Sequence, residues 1–182
     1  MSTITPLFPT LLQTLKYDPP KDLIDHINQY YQQYKYRGKK RSNRLGWQSK
    51  PHNIQQLHPI QQHIQDNVGI DLTFHDAWIN INYQGAYNIT HIHPNSDYTF
   101  VYYSHDHNTS LVLECPYMYT HHNHITYQPK HTKQQYNLSL EHKIQPTKGT
   151  ILMFPSYVPH RVEVNPVSHD RISLSWGASC IR

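Results

Sequence analysis

From Ile70 onward the alternation of apolar and polar residues has period two, and no other feature constrains this chain more. Ala77, Ile79 and Ile81 alternate with Trp78, Asn80 and Asn82. Successive side chains of an extended strand point to opposite faces, so this spacing makes one sheet face apolar and the other polar. Further short runs around residues 91–93, and over 98–103, 110–114, 138–144, 150–154, 161–164 and 171–176, read as strands. Turn signals separate many of them, at Gln84-Gly85, Pro94-Asn95-Ser96, Lys148-Gly149 and Asn165-Pro166. About eight short strands predict a jelly roll or a barrel. The polar, His-rich segment 117–136 is expected to be a long loop.

Before residue 70 the period is helical. Asp18-Pro19-Pro20 suits a helix start, and Leu23, Ile24, Ile27, Tyr30, Tyr31 and Tyr34 follow on one face, with Gly38 as a stop. A second helix is expected from about Pro59 to Asn67, with Ile60, Ile64 and Val68 as its stripe and Gly69 at the C-cap. Length suits a single domain of 1–182, helical over 1–69 and β over 70–182, with the helices on one sheet.

Only 37% of the residues are hydrophobic and 15% charged, so neutral polar side chains, 16 His and 15 Tyr make up the balance. No apolar run approaches the roughly 18 residues of a membrane span. The first residues lack the basic and apolar regions of a signal peptide. A reducing cytoplasm with Cys115 and Cys180 as free thiols is the expectation. The formal charge is +4, and Arg37, Lys39, Lys40, Arg41 and Arg44 form the clearest basic cluster. It reads as a solvated loop, or as a contact for an anion or nucleic acid.

H-x-H occurs three times, at His91/His93, His105/His107 and His122/His124. With His at roughly one residue in eleven, one or two such pairs arise by chance, so context must choose. On a strand His91 and His93 would share a face and aim two imidazoles into a barrel. The other two pairs lie in polar stretches and read as an exposed turn and a solvated loop. Downstream, Gly149 opens a hydrophobic strand, Pro155 a loop, and His160 the next strand, a layout that returns a third His to the barrel mouth. Alone, His160 reads better as a surface strand end. Arg171 and Ser173 share a face. A buried guanidinium needs an anion such as the far carboxylate of a dicarboxylate, whereas an exposed one is simply solvated or ion-paired.

Six segments together resemble the 2-oxoglutarate- and Fe(II)-dependent oxygenases of the double-stranded β-helix superfamily, and more closely a group of short phage and bacterial members. They are residues 42–49 (SNRLGWQS), 78–83 (WININY), 91–97 (HIHPNSD), 101–103 (VYY), Phe154-Pro155-Ser156 with His160, and Arg171-Ile172-Ser173. The resemblance implies a double-stranded β-helix and a dioxygenase that couples decarboxylation of 2-oxoglutarate to hydroxylation of an organic substrate by dioxygen. It implies His91 and His160 as iron ligands and Arg171, with Ser173 beside it, as the anchor of 2-oxoglutarate. Asn80, Asn82 and Tyr102 are expected near the cosubstrate by parity and proximity. The superfamily's His-x-Asp or His-x-Glu is missing, and position 93 is His. Either His93 completes a three-histidine site, which Zn would also suit, or Asp97 supplies the carboxylate.

Two other readings compete. One is a cupin-like isomerase or epimerase that uses a metal without 2-oxoglutarate. The other is a non-catalytic phage structural or interaction protein that keeps the barrel as a scaffold. Loops at the mouth, including 117–136 and the basic stretch near Lys40, are expected to set specificity. Host cytoplasm is the expected location for a phage-encoded chain.

Overall fold

The computed structural model describes residues 9–181. The start of the expected helical part, Met1 to Phe8, and Arg182 lie outside the described residues. β1 (Gln13–Lys16) comes first, followed by α1 (Leu23–Tyr34), which buries Leu23 and Ile27. A short 3-10 turn, Lys35–Arg37, extends that helix. Gly38 ends it in extended conformation, and a Cβ there would lie 2.6 Å from Cδ1 of Trp47. Two-residue strands follow, β2 (Asn43–Arg44) and β3 (Trp47–Gln48). In α2 (His58–Val68) the buried pair is Ile60 and Ile64, one turn apart, and Gly69 closes it at φ 70 in the left-handed region. Each of those isoleucines contributes about 1.5–3 kcal/mol by burial.

The remaining strands are β4 (Leu72–Phe74), β5 (Trp78–Asn82), β6 (Tyr87–His91), β7 (Tyr98–Tyr102) and β8 (Leu111–Glu114). Two helices intervene, α3 (Met118–Thr126) and α4 (Lys130–Gln135), before β9 (Glu141–Ile144), β10 (Thr150–Pro155), β11 (His160–Val162) and β12 (Arg171–Cys180). The expected loop 117–136 is thus largely helical. It buries only Thr132 within these helices, so it carries no apolar stripe for the sequence to reveal.

All strand pairs are antiparallel. One sheet runs β1-β10-β7-β12-β5-β3, with β4 also on β12, and the other runs β2-β6-β11-β8-β9. This is the double-stranded β-helix expected from the sequence. Period-two alternation divides the first sheet into two faces. Ile79, Ile81, Phe100, Tyr102, Ile151, Met153, Leu174 and Trp176 face α1 and α2. Phe100 stacks on Trp176 at 5.5 Å within that layer. On the opposite face Val101, Tyr103, Leu152 and Phe154 meet Leu111, Leu113 and Val162 of the second sheet. The rest of this inner face is polar: Asn80, Asn82, Arg171, Ser173 and Ser175 are all buried there. No helix among the described residues is long and apolar enough to cross a membrane. Both cysteines are free.

Candidate active site

The polar end of the inter-sheet space is a cavity of about 610 Å³, lined by residues of both sheets. β6 and β11 pair with His91 opposite His160, so the two rings lie 4.3 Å apart, centre to centre. The expected strand at 91–93 ends at His91. His93 sits just beyond it, where its amide donates to the Ser156 carbonyl at 3.0 Å. That bend carries the third ring to within 5.0 Å of each of the others. Ligand nitrogens of the three all lie within 4.8 Å of one another.

The rings are pre-oriented. Nδ1 of His91 lies 2.8 Å from the Ile89 carbonyl, and Nδ1 of His160 lies 3.0 Å from that of Val158. A carbonyl only accepts, so each Nδ1 holds the proton and each Nε2 presents its lone pair. Burial, then repulsion from the neighbouring His91, pulls His93 down to about 4 and His160 to about 3. Burial also lowers His91. Three neutral imidazoles converging on one point are a donor set for a divalent transition metal. Asp97 is not brought there: its Oδ2 accepts the Cys180 amide at 2.9 Å, on an exposed edge.

Arg171 lies on the same cavity and is 1% exposed. Nη1 donates to Asn82 Oδ1 at 3.4 Å and Ser173 Oγ at 3.3 Å, and Nη2 to the Tyr103 hydroxyl at 3.0 Å. Its Nε is buried without a partner. None of the three ion pairs among the described residues involves it. A guanidinium out of water with no anion is costly to leave unmatched. A relay from Ser42 through Asn88 holds Asn82 in place, with contacts of 3.0 and 2.9 Å. Asn80 lines the cavity too and donates to Ser175 at 3.2 Å.

Tyr102 needs correction as a cosubstrate residue. It pairs with Leu174 in the apolar register and points under α1, with its hydroxyl 3.3 Å from the Tyr17 carbonyl. Its neighbour Tyr103 faces inward and holds Arg171. Tyr102 and Tyr103 fall on opposite faces, but only cross-strand pairing says which face is which. His107 is also not the exposed turn residue expected. It is 3% exposed, bonded to the Thr109 amide, and lowered to about 4, chiefly by burial. Nor does the segment 117–136 line the cavity, whereas Lys39 and Arg41 do. Sequence reasoning also missed Asn88 and Gln48, both buried and both on the cavity.

The family described as "Putative 2OG-Fe(II) oxygenase" matches residues 76–177, more than half of the chain. The chain belongs to the 2OG-Fe(II) oxygenase family. It is an oxygenase, and its cofactors are Fe(II) and 2-oxoglutarate. Among solved structures it is similar to a prolyl-4-hydroxylase of Pseudomonas putida, with 16% identity, a TM-score of 0.53, and 93% of this chain and 92% of that one covered. It is also similar to the viral collagen prolyl hydroxylase of Paramecium bursaria chlorella virus 1, at 15% identity, TM-score 0.54, and 91% and 94% coverage. HygX of Streptomyces hygroscopicus, solved with nickel, 2-oxoglutarate and hygromycin B, matches at 8% identity, TM-score 0.58, and 93% and 82% coverage. At these identities the likeness is one of fold. No curated protein sequence matches the oxygenase.

The residues present fit both cofactors. Converging imidazole nitrogens suit the metal, and the buried, unmatched Arg171 suits a carboxylate.

Proposed function

We propose that the oxygenase holds Fe(II) through His91, His93 and His160, binds 2-oxoglutarate through Arg171 and Ser173, and hydroxylates a C–H bond of an organic substrate. The observation that carries this reading is the buried guanidinium without an anion on the same cavity as the three histidines. The cofactors supply oxidation in which 2-oxoglutarate, dioxygen and R–H become succinate, carbon dioxide and R–OH.

The chain's own residues hold and exclude. The carbonyls of Ile89 and Val158 keep two imidazoles in the ligating tautomer. Asn82, Ser173 and Tyr103 fix the guanidinium plane, so a carboxylate meets an already aimed fork. Val101, Leu111 and Val162 form an apolar wall of the cavity, which keeps water from competing for those charged contacts. Asn80 and Asn82 remain cosubstrate-side residues in this reading.

Anaerobic titration of the protein with Fe(II) and 2-oxoglutarate tests it. A saturable visible charge-transfer band is expected, from bidentate chelation of the oxoacid. Iron binding without the band would point to the cupin-like reading, and no metal binding to the scaffold.

A further inference from the structure

We propose that Lys39 and Arg41 form an entrance subsite for a carboxylate or phosphate group carried by the primary substrate. This rests on the iron and 2-oxoglutarate reading above. The basic cluster, which reads in the sequence as a solvated loop or as a contact for an anion or nucleic acid, is divided by the fold into two sets. Lys39 and Arg41 line the cavity, whereas Arg37, Lys40 and Arg44 do not. Arg44 turns back on its own segment and donates to the carbonyls of Arg41 and Asn43. Lys39 and Arg41 use their side chains in no hydrogen bond or ion pair among the described residues.

The wall that carries them is built, not loose. The Lys39 amide donates to the Gln48 carbonyl at 2.8 Å, and the Arg41 amide to Asn43 Oδ1 at 3.0 Å. Next along the chain, β2 joins the second sheet through β6 and β3 joins the first through β5, so this segment straps the two sheets together. Two glycines permit its close seating: a Cβ at Gly46 would lie 2.8 Å from the Ile81 carbonyl, and Gly38 abuts Trp47.

A second observation points to a ligand. Gln48, on that strap and 6% exposed, lines the cavity with a buried Oε1 that has no partner. A buried amide oxygen left unmatched wants a donor. The dianion of 2-oxoglutarate offers none, whereas an N–H or O–H of the primary substrate would supply one.

Charge sets the sign. Three neutral imidazoles leave the charge of Fe(II) intact, and the 2-oxoglutarate dianion cancels it. Arg171, Lys39 and Arg41 then share the cavity with Asp76, the one acidic residue among its described lining residues, which leaves a surplus of two positive charges. A cationic cleft with low-dielectric walls concentrates anions. Two cations on one wall of a cavity suit one anionic group on a small molecule or side chain. A nucleic acid needs a longer basic face.

The test uses anaerobic protein loaded with Fe(II) and 2-oxoglutarate, with the charge-transfer band reporting both cofactors throughout. Glycerol 3-phosphate and N-acetylglycine are the phosphate and carboxylate probes, glycerol and N-methylacetamide their neutral counterparts, and a single-stranded oligonucleotide the polymer. Binding is read by calorimetry in wild type, K39E/R41E, Q48L and the charge-matched control R37E/K40E. At least one small anion is expected to bind, and which one names the source. K39E/R41E should weaken it roughly tenfold or more, and Q48L about two- to tenfold. R37E/K40E should leave probe binding unchanged, and the band should persist in every variant at saturating 2-oxoglutarate. The proposal is overturned by equal weakening in both charge-reversed pairs, by equal binding of the neutral probes, by binding of the oligonucleotide alone, or by no small anion binding. Any of these with the band intact leaves the cofactor reading standing. Loss of the band in wild type removes both.

Discussion

Replacing Arg171 with Met separates binding from stability in a way few substitutions do. The guanidinium has five N–H donors. Three bonds are made, to Asn82, Ser173 and Tyr103, which leaves Nε–H and one Nη2–H for a ligand. Hydrogen bonds to charged groups are worth about 1.5–3 kcal/mol each, so losing two costs at least about 3 kcal/mol. That is on the order of a hundredfold in the Kd of 2-oxoglutarate. The apoprotein should scarcely notice. Met fills similar volume and removes an unmatched buried charge, which offsets the bonds lost by Tyr103 and Asn82. Anaerobic titration of the charge-transfer band gives the affinity, and thermal unfolding without cofactors gives the stability. An unchanged affinity refutes the assignment. So does a loss of affinity that merely tracks a collapse in melting temperature, because Arg171 would then be a structural residue.

Other expectations follow from the same geometry. His93→Ala and His160→Ala should each lose bound metal, while Asp97→Ala keeps it and gives up only the hydrogen bond to Cys180, about 1 kcal/mol or less. Metal analysis decides, and retention in His93→Ala with loss in Asp97→Ala would reverse the ligand choice. Tyr103→Phe should weaken 2-oxoglutarate severalfold by loosening Arg171, whereas Tyr102→Phe leaves it unchanged. The opposite order in a titration would mean that the inward face has been misassigned. Burial holds His107 at about 4 and His160 at about 3 in the folded chain, against an unfolded value near 6.5. The unfolded state therefore takes up protons first, so metal-free stability is complete above pH 6.5 and falls as the pH drops toward 4 and 3. Denaturant midpoints flat across pH 7 to 4 would contradict this.

Much of the fold is legible because long strands display their period. β5 and β12 alternate over enough residues to show two faces, and the helices α1 and α2 show their stripes. β2 and β3 could not be seen, since two residues carry no period; tertiary pairing with β6 and β5 makes them strands. α3 and α4 are illegible for the opposite reason: they are long enough for helical spacing but have scarcely any buried face to mark it. In the site, the three histidines and Arg171 are picked out by residue type, by order along the chain and by the family resemblance together. Their second layer did not. Asn88 and Gln48 are ordinary amides in the sequence, and they acquire roles only through the register that sets Asn88 beside Asn82 and Gln48 opposite Asn80.

The placement of β12 has a bearing on synthesis. Residues 171–180 are made after every strand they pair with, yet they lie in the middle of the larger sheet, between β7 and β5 with β4 alongside. Until they emerge from the ribosome, β5 and β7 each have an open edge and a stripe of Ile79, Ile81 and Phe100 with no Leu174 or Trp176 to cover it. Such an intermediate is prone to pair with other chains. The strand that seals it also brings Arg171. A nascent chain therefore cannot assemble the proposed 2-oxoglutarate site early and by parts; closing the sheet and placing the guanidinium are one late event.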